Sequence, residues 1–308
     1  MWNFLKHAAR IAIDRPFRAS HRYVLPAALE TVSTPRQYYL VTATIVRNEA
    51  PFIREFVAFH KLVGVDHMIV YLDDGDDAPT RSALEDFCAE GFVELIPWPR
   101  FISQRNNQFL AYQHAVSYML HQCTWLSFID ADEFLHAPSS QNLKAELQAR
   151  ENFDAIAVYS RTYGTSGIAK LAPGELLVEK LVMRGEDSHI KNRTQRSIVK
   201  PGSVVAIRSA NTCVLRNTHY LGWDEAGNPV TATGEAGHAC NFLRINHYFT
   251  RTEEDFRQKL KRRYFGKGGH QRKMATKHDE AADGTLSVVA DSNLKSYMRE
   301  LRAAVFRK

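Results

Sequence analysis

Three carboxylates within four residues, Asp130, Asp132 and Glu133, close an apolar run from Leu126 to Ile129. The run reads as a buried strand. A strand sends alternate side chains to one face, so Asp130 and Asp132 converge if the strand extends that far. Two carboxylates meeting at a buried strand end repel each other and are costly to desolvate. A divalent cation removes both problems. Hard oxygen ligands of this kind suit Mg²⁺ or Mn²⁺, with the remaining positions open to water or to the phosphates of a substrate. The plainer alternative is a strand followed by an acidic turn or a helix cap, where Asp is common.

The elements before this run say what positions it. Tyr39 to Val46 is rich in β-branched and aromatic residues and predicts a strand. It ends in Arg47, Asn48 and Glu49. Pro51 then opens a helical periodicity through Phe52, Ile53, Phe56, Val57, Phe59 and His60, which Gly64 stops. His67 to Leu72 predicts a second strand, which runs into Asp73, Asp74, Asp76 and Asp77. A helix over Thr80–Glu90, a strand over Phe92–Ile96 and a helix over Gln104–His121 follow. That helix turns Phe109, Tyr112, Ala115, Val116, Met119 and Leu120 inward. Strand and helix thus alternate four times with short links, which implies a parallel sheet covered by helices. Ligands of such sheets bind outside the carboxyl ends of the strands. Here those ends carry Arg47–Asn48–Glu49, Asp73–Asp74 and Asp130–Ala131–Asp132, one polar rim. The glycine patterns of dinucleotide-binding folds and of P-loop nucleotidases are absent, which argues against both classes. Phosphates would then need a metal and basic side chains.

The second half is less regular. Strands are predicted at Asp154–Tyr159, Ser197–Val199, Val204–Ile207 and Arg244–Phe249. Leu176–Met183 reads as either helix or strand, and 216–229 as loop. Thr252 starts a helix with Glu253, Glu254 and Asp255 in its first turn, favourable for the macrodipole. A last helix over Ser292–Phe306 reads as packing. The four cysteines are isolated, form no zinc pattern and suit a reducing compartment. At 44% hydrophobic and 24% charged, the 308 residues are long and apolar enough for a sizeable core. Residues 251–277 hold ten Lys or Arg against three acids, an excess of seven that accounts for the whole net charge of +6. Such a patch suits nucleic acid, anionic lipid or a phosphorylated substrate, or is simply a solvated face. The N-terminus lacks a signal-peptide core, and Trp2, Leu5, Ala9 and Ala12 fall at helical spacing among basic residues. Cytoplasmic placement, with peripheral contact at the inner membrane face, is the expectation.

Taken in order, Val46–Arg47–Asn48–Glu49–Ala50, Glu55–Phe56–Val57–Ala58–Phe59–His60, Gly64–Val65–Asp66–His67, Phe128–Ile129–Asp130–Ala131–Asp132–Glu133–Phe134–Leu135 and Asn246–His247–Tyr248–Phe249–Thr250 resemble the family-2-like glycosyltransferases. The branch is the one related to family 92. The resemblance covers about residues 39 to 265. It implies an α/β, GT-A-like fold: a mostly parallel sheet flanked by helices, with a less regular acceptor-binding half. Residues 1–37 are then a basic lead-in, 38–137 the nucleotide-sugar-binding half, 138–265 the acceptor-binding half of the same domain, and 266–308 a basic tail and helix. It implies sugar transfer, by inversion, from a nucleotide-diphosphate donor, a UDP-sugar by preference, to a glycan or glycolipid acceptor with Mn²⁺ or Mg²⁺. Asp130 and Asp132 match the family's metal-binding Asp-x-Asp, and His247 a late histidine that often completes the site. His219, beside Tyr220, competes with it. Asp73 or Asp74 matches the acid on the nucleoside, and Arg47, Asn48 and Glu49 the first loop around it.

Charge on a departing diphosphate also calls for fixed cations. Lys191, Arg193, Arg196 and Lys200 are the candidates. An inverting transferase needs a carboxylate base, and no one position in the chain is singled out for that role. Glu133, Glu175, Glu179, Glu186, Asp187, Asp224, Glu225 and Glu235 stay open for that role. The rival reading is a nucleic-acid or anionic-surface protein using residues 251–277, with Tyr248, Phe249, Tyr264 and Phe265 for stacking. A degenerate transferase that binds without turnover is a further one.

Overall fold

The computed structural model describes residues 35–73, 75, 77–99, 104–231, 239–264 and 282–307. The expected N-terminal helix, Asp74, Asp76, Glu235 and most of the basic segment lie outside the described residues. Residues 36–308 form one compact unit.

The elements run β1 (Tyr38–Val46), α1 (Ala50–Leu62), β2 (His67–Asp73), α2 (Ala78–Ala83), α3 (Glu85–Ala89), β3 (Val93–Trp98), α4 (Gln104–Tyr118), β4 (Cys123–Phe128) and β5 (Glu133–His136). Then come α5 (Leu143–Gln148), β6 (Ala155–Thr162), α6 (Leu177–Lys180), β7 (Met183–Arg184), β8 (Gln195–Val199), β9 (Val204–Ile207), β10 (Cys213–Leu215), β11 (Gly222–Trp223), β12 (Pro229–Val230) and β13 (Arg244–His247). The last are α7 (Glu253–Tyr264), α8 (Ala282–Leu286), β14 (Val289–Ala290) and α9 (Met298–Val305). The main sheet has the order β12-β11-β6-β8-β4-β1-β2-β3, with β13 joined to β6 and β5. This is the mixed α/β, mostly parallel sheet that the alternation predicts.

Strands β3, β2, β1 and β4 are mutually parallel, so their carboxyl ends share one edge. Strand β8 runs antiparallel to both β4 and β6, which makes β6 parallel to β4, and β13 is parallel to β6. The end of β13 at His247 therefore points toward the same edge. So does the start of β8, because Val199 pairs with Leu126 and Ile198 with Ser127. Counting back places Arg196 level with the residue just past Ile129's neighbour Phe128, beside Asp130.

Alternation along the strands fills a core on each face of the sheet. Leu40, Val46, Met68, Val70, Leu72 and Trp125 pack with Ile53, Phe56, Val57 and Phe59 of α1. Val41, Ala43, Ile69, Tyr71, Leu126 and Phe128 pack with Ala111, Tyr112, Ala115, Val116 and Met119 of α4. Phe109 and Leu120, expected on that inward stripe, are only half-buried. The predicted helix over Thr80–Glu90 is instead two short helices broken at Leu84. Asp77 starts the first by accepting bonds from Thr80 N (3.1 Å) and Thr80 Oγ1 (2.8 Å). The expected loop over 216–229 contains the short strand β11, paired with β12 and β6.

The C-terminal segment returns to the first core. Leu294 and Leu301 are buried in it, Tyr297 meets Phe59 edge-on at 5.7 Å, and Arg54 Nε donates to Val305 O at 2.7 Å. The final helix is packing, as its pattern suggests. All four cysteines are free thiols. Among the described residues, no helix is long and apolar enough to cross a membrane.

Candidate active site at the carboxyl edge of the sheet

Strand β4 stops at Phe128, so Asp130 and Asp132 do not alternate along a strand. A tight turn carries them, with Glu133 N donating to Asp130 O at 3.0 Å, and β5 begins at Glu133. The turn gives each carboxylate a different neighbourhood.

Asp130 meets Arg196. Arg196 Nη2 pairs with Asp130 Oδ2, and Gln108 Nε2 donates to Asp130 Oδ1 at 3.0 Å. Arg196 Nε donates to Glu133 Oε2 at 2.6 Å, and the same Oε2 accepts Asp130 N at 3.1 Å. Arg196 Nη1 completes the fork on Ala210 O (2.9 Å) and Asn211 Oδ1. Burial opposes the charge on Arg196, but Asp130 and Glu133 together raise its pKa. The guanidinium is thus a fixed, buried cation whose position two acids determine.

Asp132 meets His247. His247 Nε2 lies 3.6 Å from Asp132 Oδ1, and Lys259 Nζ lies 3.3 Å from Asp132 Oδ2. The backbone locks this meeting, since Tyr248 N donates to Asp132 O at 2.8 Å. Burial disfavours the charge on Asp132, yet Lys259, His247 and Arg251 hold its carboxyl well below the usual range. In the β5–β13 ladder His247 pairs with Glu133, and His247 Nδ1 lies 3.8 Å from Glu133 Oε1. That oxygen is buried without a hydrogen-bond partner. Closing the gap would fix the proton on Nδ1 and turn the Nε2 lone pair toward Asp132, the arrangement of a metal-binding histidine with its supporting carboxylate. Among the described residues no three His, Cys, Asp or Glu side chains converge as a ready ion cage. Asp132 and His247 nevertheless fit an ion of the Mg²⁺ or Mn²⁺ type, which takes one or two protein ligands and fills its sphere from water and phosphate.

The first loop closes on the same place. Glu49 Oε2 pairs with Arg251 Nη2 at 2.6 Å, and the Arg251 guanidinium lies 4.2 Å from the Phe52 ring centroid. Asn48 and Arg251 both hold positive φ, at 56° each, so the backbone on each side of this contact sits in the left-handed region. Asn48 N donates to Asp77 Oδ2 at 2.8 Å. Asp73 is buried and accepts from Asn107 Nδ2 at 2.8 Å. Lys191, in the turn before β8, has its ammonium 3.8 Å from the Phe249 centroid.

Sequence candidates therefore separate. Asp130, Asp132, Glu133, Arg196, His247 and Lys191 gather at the edge, and Glu49 joins them through Arg251. Arg193 is exposed, and Lys200 reaches away to Glu151 O and the Trp125 ring, at the opposite end of β4. His219 is exposed beside Tyr220. Of the open carboxylates, Glu225 accepts the backbone N–H groups of Asn241, Phe242 and Leu243, and Asp224 those of Ala226 and Asn228. Glu175 holds Lys180 and Glu179 holds Arg302. Those four are structural. Lys259, Arg251, Gln108 and Asn107 are site residues that the motifs do not mark. Gln108 and Asn107 signal themselves only as polar residues on a helix, and Arg251 and Lys259 only as members of the basic run over 251–277.

The fold is a mixed α/β one, a mostly parallel sheet flanked by helices, with polar groups gathered at its strand ends. The family model for glycosyltransferase family 92 matches residues 37–220, and the chain belongs to that family. Its relatives include a glycosyltransferase family 92 protein of Ricinus communis, 25% identical over 234 residues that make up 74% of this chain and 38% of the relative. Another, from Oryza sativa subsp. japonica, is 25% identical over 230 residues, 73% of this chain and 35% of the relative. The chain thus spans well under half the length of these relatives. Among solved structures, HddC from Yersinia pseudotuberculosis covers 73% of this chain and 99% of its own, with TM-score 0.38 and 11% identity. Glucosyl-3-phosphoglycerate synthase from Mycobacterium tuberculosis covers 54% and 58%, with TM-score 0.32 and 14% identity. These overlaps are too loose to carry a functional argument. The family match ends at residue 220, so the places of His247, Arg251 and Lys259 rest on geometry.

Proposed function

We propose that this chain is a glycosyltransferase that moves a sugar from a nucleotide-diphosphate donor, a UDP-sugar by preference, to a carbohydrate or glycolipid acceptor with the help of Mn²⁺ or Mg²⁺. The observation that carries the reading is the meeting of Asp132 and His247, 3.6 Å apart, at the carboxyl edge of a parallel sheet. Those strand ends are where α/β sheets take ligands. Asp132 and His247 would hold the ion, which as a Lewis acid stabilises the departing diphosphate. Asp130 already shares its oxygens with Arg196 and Gln108, so its part in this account is to aim Arg196 at the donor. Arg196 and Lys191 then offer preorganised positive charge to the leaving group. Arg47, Asn48, Glu49 and Asp73 frame the nucleoside. Glu133, buried under Arg196 and His247, orients both and is not assigned the acceptor proton.

No observation favours nucleic-acid binding by the described part of the basic segment. Arg251 is paired to Glu49, Arg257 to Glu253 and Lys259 to Asp132. The test is a panel of nucleotide sugars incubated with the chain and Mn²⁺ and scored for release of nucleotide. The reading expects slow hydrolysis of a UDP-sugar that chelation abolishes. Release from no nucleotide sugar, with or without added saccharide acceptors, would refute it.

A further inference from the structure

Lys259 stands where the incoming charges must meet. It comes from the second turn of α7, and its Nζ lies 3.3 Å from Asp132 Oδ2 and 2.7 Å from Phe249 O. The ammonium is also 4.3 Å from the Phe249 ring centroid, with the Lys191 ammonium 3.8 Å from the same centroid. His247 meets that ring edge-on at 5.6 Å. One phenyl ring thus gathers two ammonium groups beside the carboxylate–imidazole pair. The Lys259 side chain is 31% exposed against 14% for Asp132, so the lysine has room to move outward and the aspartate does not.

Asp132 divides its two oxygens. Oδ1 faces His247, and Oδ2 is held by Lys259. A divalent ion arriving alone meets a cation already in place on its carboxylate. We propose that Lys259 is the resident counter-ion of Asp132 in the donor-free protein, and that it passes to the donor's diphosphate when a divalent ion takes its place. The proposal rests on the reading of the site as a nucleotide-diphosphate site, and it adds an order to the filling of that site. The diphosphate supplies the negative charge that draws Lys259 off Asp132, and the ion fills the charge that Lys259 leaves behind. Ion and nucleotide then bind with positive coupling, and the coupling is reciprocal. Lysine suits the role better than arginine would. Its ammonium is a compact point charge on a flexible stem, free to exchange one oxygen partner for another.

Calorimetry on the full chain tests this with MnCl₂ alone, UDP alone, and UDP in saturating Mn²⁺, for wild type, Lys259→Met and Lys259→Arg. Wild type is expected to bind Mn²⁺ at least tenfold more tightly with UDP present than without it. Lys259→Met should bind Mn²⁺ alone at least tenfold more tightly than wild type, and metal-free UDP at least tenfold more weakly. Lys259→Arg keeps the charge and should stay close to wild type in the Mn²⁺-alone arm. A melting temperature for each variant confirms that it is folded. If wild type binds UDP with Mn²⁺ but Lys259→Met leaves both single-ligand constants within twofold, the counter-ion role is overturned and the transferase reading stands. If Lys259→Met weakens Mn²⁺ alone, the lysine supports the ion site and does not block it, and the proposal is again overturned. If wild type binds no UDP in any arm, the donor reading itself fails and takes this proposal with it.

Discussion

At the scale of single residues, the account turns on Arg196. Among the described residues its guanidinium is the one cation in contact with Glu133 Oε2, and both side chains are buried. Removing one member of such a pair leaves the other charge uncompensated, at a cost of about 3–5 kcal/mol. Arg196→Ala should therefore lower stability by about that amount in a urea melt. Gln108→Ala, which removes its bonds to Asp130 Oδ1 and Tyr112 Oη, should cost about 1–2 kcal/mol. Equal small effects from both would show that Glu133 is not held as described. His60 gives a pH test. Its Nδ1 donates to Phe56 O at 2.8 Å, and its Nε2 accepts from Leu135 N at 3.2 Å. Burial pushes its pKa down to about 4. The unfolded chain takes a proton near pH 6.5 that the folded chain refuses until about pH 4, so His60 costs stability as pH falls through that window. His60→Leu loses the bond to Leu135 N but escapes this penalty. The gap between variant and wild type should narrow by about 1.4 kcal/mol from pH 7.5 to pH 5.5. A constant gap would contradict the neutral, doubly bonded imidazole. Asp130, Asp132 and Glu133 stood out in the sequence by type and spacing, Arg196 as one of four basic candidates, and His247 through the family resemblance. Gln108 did not, since a lone Gln on a helix reads as solvated surface until the fold shows what it faces, and Lys259 was visible only as one cation among ten over 251–277.

At the scale of elements, the parallel half was legible because its strands are uninterrupted apolar runs and its helices carry clear periodicity. The errors sit where a local signal competes with tertiary structure. Strand β4 ends two residues before Asp130, so the turn before β5 carries both aspartates, which a longer strand would have aligned. The antiparallel insertion of β8 between β4 and β6 was not legible at all, because a five-residue strand carries no mark of its partner. That insertion decides the site, since its register brings Arg196 to Asp130 and sends Lys200 to the far end. The last helix is an element whose partner lies about 250 residues away, and Leu301 is fully buried between α9 and the core behind α1. Leu301→Ala should cost about 2–5 kcal/mol, seen as a lower urea midpoint with the slope unchanged. A cost under about 1 kcal/mol would show that α9 is not part of the core.

At the scale of the whole molecule, segments far apart in sequence place their charges on one edge. The first loop brings Glu49, the turn after β4 brings Asp130, Asp132 and Glu133, the start of β8 brings Arg196, and the end of β13 and α7 bring His247, Arg251 and Lys259. The positive excess at the C-terminal end of the sequence thus goes partly to these acids, a use that its readings as a solvated face or as a patch for nucleic acid, anionic lipid or a phosphorylated substrate did not name. The most direct test of the donor site is calorimetric titration of UDP in the presence and absence of Mn²⁺, with wild type and Asp132→Ala side by side. The account predicts Mn²⁺-dependent binding to wild type and at least a tenfold loss of that dependence in Asp132→Ala. Binding that is absent from wild type, or that is the same in both proteins with and without the ion, would contradict it.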